Sequence, residues 1–159
     1  SGVELLAKHA GTTKRTLYAH FGSKDGLIKA VLSYRHEQFM TQLTAKFAQC
    51  TLLDAQAVVT LYLQFLADWT TSSNFYGCLF INASAEFSDV KSVPKHQAKA
   101  HKAAVRQFLF NQFEAVGAKR PQQKADYLFV VGEGLIVGAQ TGQDDLELDH
   151  QTLTAVLAL

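Results

Sequence analysis

An all-helical protein is predicted, and three observations predict it. Apolar residues recur at spacings of three and four rather than two along almost the whole chain, only Pro94 and Pro121 interrupt it, and cap residues such as Thr13 and Ser23 stand where apolar runs begin. With 48% hydrophobic and 18% charged residues in 159, the chain has material for a core and no compositional mark of disorder. The expected organisation is a helix-turn-helix head with its connecting helix over residues 1–45, followed by a C-terminal helical bundle over 46–159. No internal repeat or low-complexity segment breaks this pattern.

The first helix has its start signal at Ser1, because Ser1-Gly2-Val3-Glu4 fits a capping box in which hydroxyl and carboxylate satisfy N–H groups reciprocally. Val3, Leu6 and Ala10 then share one face, and Gly11 permits a tight turn. Thr13 is the next N-cap, with Leu17 and Phe21 as the apolar residues of a short second helix that stops at Gly22. Ser23 caps again, with Asp25 complementing the helix dipole in the first turn. From Leu27 through Ile28, Val31, Leu32, Tyr34, Phe39 and Leu43 to Phe47 the helical period persists, which predicts a helix long enough to connect two parts of the molecule.

Residues 52–71 are apolar almost all round, through Leu53, Val58, Val59, Leu61, Tyr62, Leu63, Phe65, Leu66 and Trp69, as suits the middle of a bundle. Ser72-Ser73-Asn74 marks a loop, and a short apolar helix follows from about Gly77 to Phe87. The helix predicted over 94–116 carries Ala98, Val105, Phe108, Leu109, Phe113 and Val116 on one face, with Lys95, Lys99, Lys102 and Arg106 largely on another. Gly117 ends it, and Pro121 suits the first turn of the next, whose apolar face runs through Tyr127, Leu128, Val131, Leu135, Ile136 and Ala139. Asp149 then caps a last helix containing Leu153, Val156 and Leu157.

Charge is unevenly placed. Net charge is only +1, yet residues 1–36 hold Lys8, Lys14, Arg15, Lys24, Lys29 and Arg35 against Glu4 and Asp25, so the remainder is acidic. A basic head on an acidic body suits contact with phosphates, although an uneven solvated surface would look similar. Cys50 and Cys78 are too few and too far apart for a disulfide framework or zinc site, and are expected as buried free thiols. With no signal peptide and no run of ~18 apolar residues, a soluble cytoplasmic protein without membrane contact is expected. The six histidines have no metal-ligand spacing, His96 and His101 being five positions apart, and no nucleophile–base pair, P-loop or dinucleotide fingerprint occurs. Neither catalysis nor a cofactor is expected.

Two short helices joined by a turn containing Gly, the second opening on Thr13-Lys14-Arg15, form a helix-turn-helix whose second helix can lie in a major groove. Lys14 and Arg15 sit where the helix dipole disfavours cations by roughly 0.3–1 kcal/mol each, so stability alone would place acids there. Donation to guanine edges or phosphates explains them; two solubilising residues are the plainer alternative.

The run from Leu6 to Leu27, with Ala10-Gly11, Thr16-Leu17-Tyr18, Phe21 and Ser23-Lys24-Asp25 in order, resembles the DNA-binding signature of the TetR family of bacterial transcriptional regulators. The resemblance implies a recognition helix over about Thr13 to Phe21. By it, Tyr18 and Lys24 match positions that contact the DNA backbone, Thr13, Lys14 and Arg15 match positions that reach phosphates or bases, and Leu17 and Phe21 match core positions. Thr12 departs from the apolar residue usual there. The family also has a helix before this one, the first of a three-helix head. Ser1 matches the cap of the second, so weakened DNA binding is expected of these residues alone.

For the rest of the chain the likeness is looser, carried by Gly77 to Phe87. It implies a bundle that binds a small effector, and Tyr62, Phe65, Trp69, Phe80 and Phe108, with Asn82 or His101 as polar contacts, are the candidates; aromatic residues at helical spacing also serve simply as core. Gly132, Gly134, Gly138 and Gly142 each cost on the order of 1 kcal/mol within a helix, so close packing should offset them. The resemblance implies that this helix and the last pair with their copies as a homodimer; packing within one subunit is the alternative. It further implies a repressor on a palindromic double-stranded DNA operator, released when a small hydrophobic effector shifts the long connecting helix. The competing expectation is a helical dimeric interaction or ligand-binding module with a vestigial DNA head.

Overall fold

A computed structural model describes residues 2–51, 54–143, 151–152 and 155–156. In chain order they form α1 (Gly2–His9), α2 (Lys14–Phe21), α3 (Lys24–Ala48), α4 (Ala55–Thr70), α5 (Leu79–Glu86), α6 (Val93–Ala115) and α7 (Pro121–Gln140), with no strand among the described residues. The all-α class predicted from periodicity is the class observed. The predicted Ser1 cap, Leu53, and the Asp149-capped helix with Leu153 and Leu157 lie outside the described residues; Val156 is exposed.

Side-chain caps set the helix starts. Thr13 Oγ1 accepts the Thr16 N–H at 3.1 Å and Ser23 Oγ accepts the Gly26 N–H at 3.0 Å, each satisfying a donor that the first turn leaves free. Gly26 follows from this turn, since a Cβ there would collide with the Phe21 carbonyl. The fourth helix starts three residues later than its apolar run suggests, because Asp54 caps it by accepting the Ala57 N–H at 2.9 Å. The fifth starts at Leu79 rather than Gly77, because the chain through Gly77 has φ 89° and the Cys78 N–H donates to Gln140 Oε1 at 3.1 Å.

Around α4 the bundle closes as its apolar circumference requires. Val58, Val59, Leu61, Tyr62, Leu63, Phe65 and Leu66 are all buried, against Leu43 and Phe47 of α3, Val105, Leu109 and Phe113 of α6, and Leu128 and Ile136 of α7. Close packing at α7 is real at one glycine and absent at another. A Cβ on Gly132 would stand 2.8 Å from Tyr62 Cε1 and 2.9 Å from Leu66 Cδ1, whereas one on Gly134 would meet nothing within 4 Å. Gly142 falls beyond the helix, at φ 78°.

Three burial expectations are corrected. Cys50 is exposed and only Cys78 buried, because Cys50 follows the end of α3, past the last buried residue Phe47. Phe21 is 38% exposed and Leu17 half-buried, since α2 packs on α1 and α3 without burying any residue fully. Tyr127 is exposed, because α7 turns Leu128 and Ile136 inward and sets Tyr127 on the opposite side.

Candidate nucleic-acid interface and bundle interior

The second helix of the head, α2, presents its N-terminal end to solvent. Thr13, Lys14 and Arg15 are exposed, and Tyr18, one turn on, is half-buried. Lys14 Nζ lies 3.7 Å from Glu4 Oε1 of α1 and 5.9 Å from the centroid of the Tyr18 ring, with its side chain 45% exposed. That exposure leaves the ammonium available to a stronger anion, since a solvent-screened pair contributes little. Thr13 Oγ1 is engaged locally, 2.9 Å from Thr16 Oγ1 as well as capping the helix. Lys24 is exposed at the start of α3, directly after the Ser23 cap. Of the five residues expected to address DNA, four therefore share the α2 tip, and Lys24 stands beyond its other end.

Only Gly22 and Ser23 separate α2 from α3, whose 25 residues run from the head into the bundle. Two contacts grip it from α6. Gln97 Nε2 donates to the Lys29 carbonyl and to Ser33 Oγ, both at 3.0 Å, and His36 Nδ1 lies 3.0 Å from His101 Nδ1, so one ring donates to the other. Burial first, then the Lys102 ammonium and His36, push the His101 imidazole down to about 3, which keeps it neutral.

Four of the residues expected to line an effector site meet in one aromatic cluster organised by Phe39. Its ring meets Phe65, Trp69 and His101 edge-on at 5.1, 5.4 and 5.1 Å, and Phe80 stacks flat on His101 at 3.7 Å. The space within this cluster is only about 10 Å³, so the cluster itself is packed. The other three candidates stand apart. Tyr62 lies against Gly132, Phe108 meets Phe47 edge-on at 5.1 Å, and Asn82 is exposed, accepting from Gln140 Nε2 at 2.7 Å. Larger spaces open outside the cluster: a groove of about 680 Å³ between α5 and α6, and one of about 280 Å³ between α3 and α6. His36 and Gln97 are additions that sequence spacing does not reveal, because their partners lie 64 to 68 positions away.

A helix-turn-helix with an exposed cationic tip, continued by one long helix into an all-helical bundle, is the architecture of a DNA-binding regulator. Comparison with known proteins gives the same class. Residues 1–31 match the family described as bacterial regulatory proteins, tetR family. The chain is 27% identical over 146 residues, covering 86% of itself and 69% of the relative, to the HTH-type transcriptional repressor ComR of Escherichia coli (strain K12). Its fold superposes on SCO4454, a TetR-family transcriptional regulator from Streptomyces coelicolor, with a TM-score of 0.79 at 23% identity, covering 99% of this chain and 79% of that one. The sav143 protein of Streptomyces avermitilis gives a TM-score of 0.80 at 25% identity, with 99% and 85% covered. These likenesses in the head sequence and in the fold support a DNA-binding transcriptional regulator of the TetR type. None of its described helices is long and apolar enough to cross a membrane.

Proposed function

We propose that the chain is an effector-responsive repressor that binds a palindromic operator as a homodimer in the cytoplasm and leaves it when a small hydrophobic molecule enters the bundle. Residues 1–45 serve as the DNA-binding head with its connecting helix, and residues 46–159 as the effector and dimerisation part. The observation that carries this reading is the exposed tip of α2, with Lys14 and Arg15 held outward at the end of a capped helix. Thr13, Lys14, Arg15, Tyr18 and Lys24 are its DNA-contacting residues, placed so that a helix end enters the major groove and flanking side chains meet phosphates. Repression is supported by the relative of that description in Escherichia coli.

Dimerisation is supported by α7. Tyr127 and Val130 are 65% and 66% exposed, Val137 is 43% exposed, and Gly134 between them faces open space. Their spacing of three and four places them in one stripe, the pattern of a helix that packs along a copy of itself. Pairing there, together with the last helix, sets two heads at a fixed separation, and tilting of α3 alters that separation until two half-sites no longer fit.

Footprinting on the DNA upstream of its own gene, using the full-length protein, tests the reading. A protected segment with two-fold symmetry is expected. Absence of any protected segment at micromolar protein would leave only a helical dimeric module and would refute the proposal.

A further inference from the structure

The groove between α5 and α6 has two different surfaces. Phe80, Ile81 and Ala98 form an apolar floor with Val90 at one lip. Along one wall stand Lys95, Lys99 and Lys102, which the helical repeat of α6 brings to one side. At about 680 Å³ the groove is the size of a small-molecule site.

Two of these lysines are already engaged. Lys95 Nζ donates to the Ser84 carbonyl at 2.8 Å, and Lys102 Nζ pairs with Glu133 Oε1 at 2.6 Å. Lys99 is exposed and has no ion-pair partner among the described residues. The groove therefore offers one uncommitted ammonium beside an apolar trough, and sets three lysines and the His96 imidazole against the single carboxylate of Glu133. A ligand with one negative charge and an apolar body complements both surfaces. An apolar neutral molecule leaves the lysine wall without a partner, and a dianion has only one spare ammonium to meet.

The floor also leads to the head. Phe80 stacks on His101 at 3.7 Å, and His101 is bonded to His36 of α3 at 3.0 Å. Gln97, on the same helix as the lysine row, holds α3 at Lys29 and Ser33. A molecule seated on Phe80 bears on the residues that fix the connecting helix.

We propose that the α5/α6 groove is the effector site and that the effector is an amphipathic monoanion, an alkyl or aryl carboxylate. This rests on the effector-responsive reading above, and narrows it to one groove and one chemical class. Decanoate is the probe, with decanol and decylamine as its neutral and cationic counterparts, each below its micellar concentration. Calorimetric titration of the full-length protein is expected to show decanoate binding at least tenfold tighter than either counterpart. Lys99→Glu should weaken decanoate at least tenfold, and Lys99→Met, which keeps the apolar stem, should weaken it less. Lys119→Glu, outside the groove, should leave it unchanged. Decanoate should also lower affinity for a duplex carrying the gene's upstream region at least tenfold in the unsubstituted protein and not in Lys99→Glu. Equal binding of decanol, no binding of decanoate, unchanged binding by Lys99→Glu, or decanoate binding without an effect on DNA would each overturn the proposal. If the duplex is bound tightly while decanoate is ignored, the regulator stands and this effector class falls. If the duplex is not bound at all, the regulator reading itself fails.

Discussion

Lowering the pH from 7.5 to 5.5 should loosen the bundle through His101. This ring is 3% exposed, stacked on Phe80 and bonded to His36, and its imidazole is pushed down to about 3 by burial, Lys102 and His36. In the unfolded chain a histidine titrates near 6.5. Between those values the unfolded chain binds the proton that the folded chain refuses, so the stability conferred by the neutral ring is complete above about 6.5 and is lost as the pH falls toward 3. One pH unit within that window is worth about 1.4 kcal/mol, so reaching pH 5.5 should cost on the order of 1 kcal/mol. For a chain of this length that is roughly 2–4 °C in Tm. Urea unfolding at fixed protomer concentration, at pH 7.5, 6.5 and 5.5, should be run on the unsubstituted protein and on His101→Asn, which keeps a polar atom near Nδ1 but does not titrate. The stability difference between the two should shrink by about 1 kcal/mol across this range. A difference that is the same at all three pH values would refute the account of His101 as a buried neutral ring.

Three further substitutions probe the bundle. Gly132→Ala should destabilise by up to about 2 kcal/mol, because crowding Tyr62 and Leu66 costs about 1–3 kcal/mol against a helix-propensity gain of about 1; thermal melts showing a net gain would contradict the packing described. Tyr62→Phe should be neutral or more stable by about 1 kcal/mol, since the Tyr62 hydroxyl is buried without a hydrogen-bond partner among the described residues and such a group costs about 1–3 kcal/mol; a loss above about 1 kcal/mol in urea would show that the hydroxyl is satisfied. Val130→Glu, in the exposed stripe of α7, should shift a dimer to monomer in sedimentation without unfolding the chain; an undisturbed dimer would place the interface elsewhere.

Local chemistry made the head legible in the sequence. Thr13 and Ser23 were identifiable as caps because a hydroxyl three residues before a free N–H satisfies it whatever the rest of the fold does. The central place of α4 followed from its apolar circumference, which only burial on all sides can satisfy. What depends on distant parts of the chain was not legible. Gly132 and Gly134 look alike in sequence, yet one touches Tyr62 and Leu66 and the other open space. Nor does the sequence show that the Asn82 side chain ties α5 to the end of α7 through Gln140, 58 positions away. His36 and His101 are separated by 65 positions, so no spacing rule brings them together, and only the packing of α3 on α6 does so. For the same reason the aromatic candidates divide into a packed cluster around Phe39 and two residues outside it, a division that helical periodicity alone does not make.

Contact between the α2 tip and the operator makes binding depend on salt in a way that can be measured. Fluorescence anisotropy on the footprinted duplex should be measured over a range of salt concentrations for the unsubstituted protein and for the Lys14→Ala, Arg15→Ala double variant. Each lost phosphate contact lowers the slope of log K against log salt by about 0.9, and each lost base contact costs about 1–3 kcal/mol of discrimination. If the tip makes these contacts, affinity falls at least about tenfold and the salt slope becomes shallower, while the stability and dimerisation of the variant are unchanged. Affinity and slope equal to those of the unsubstituted protein would contradict them.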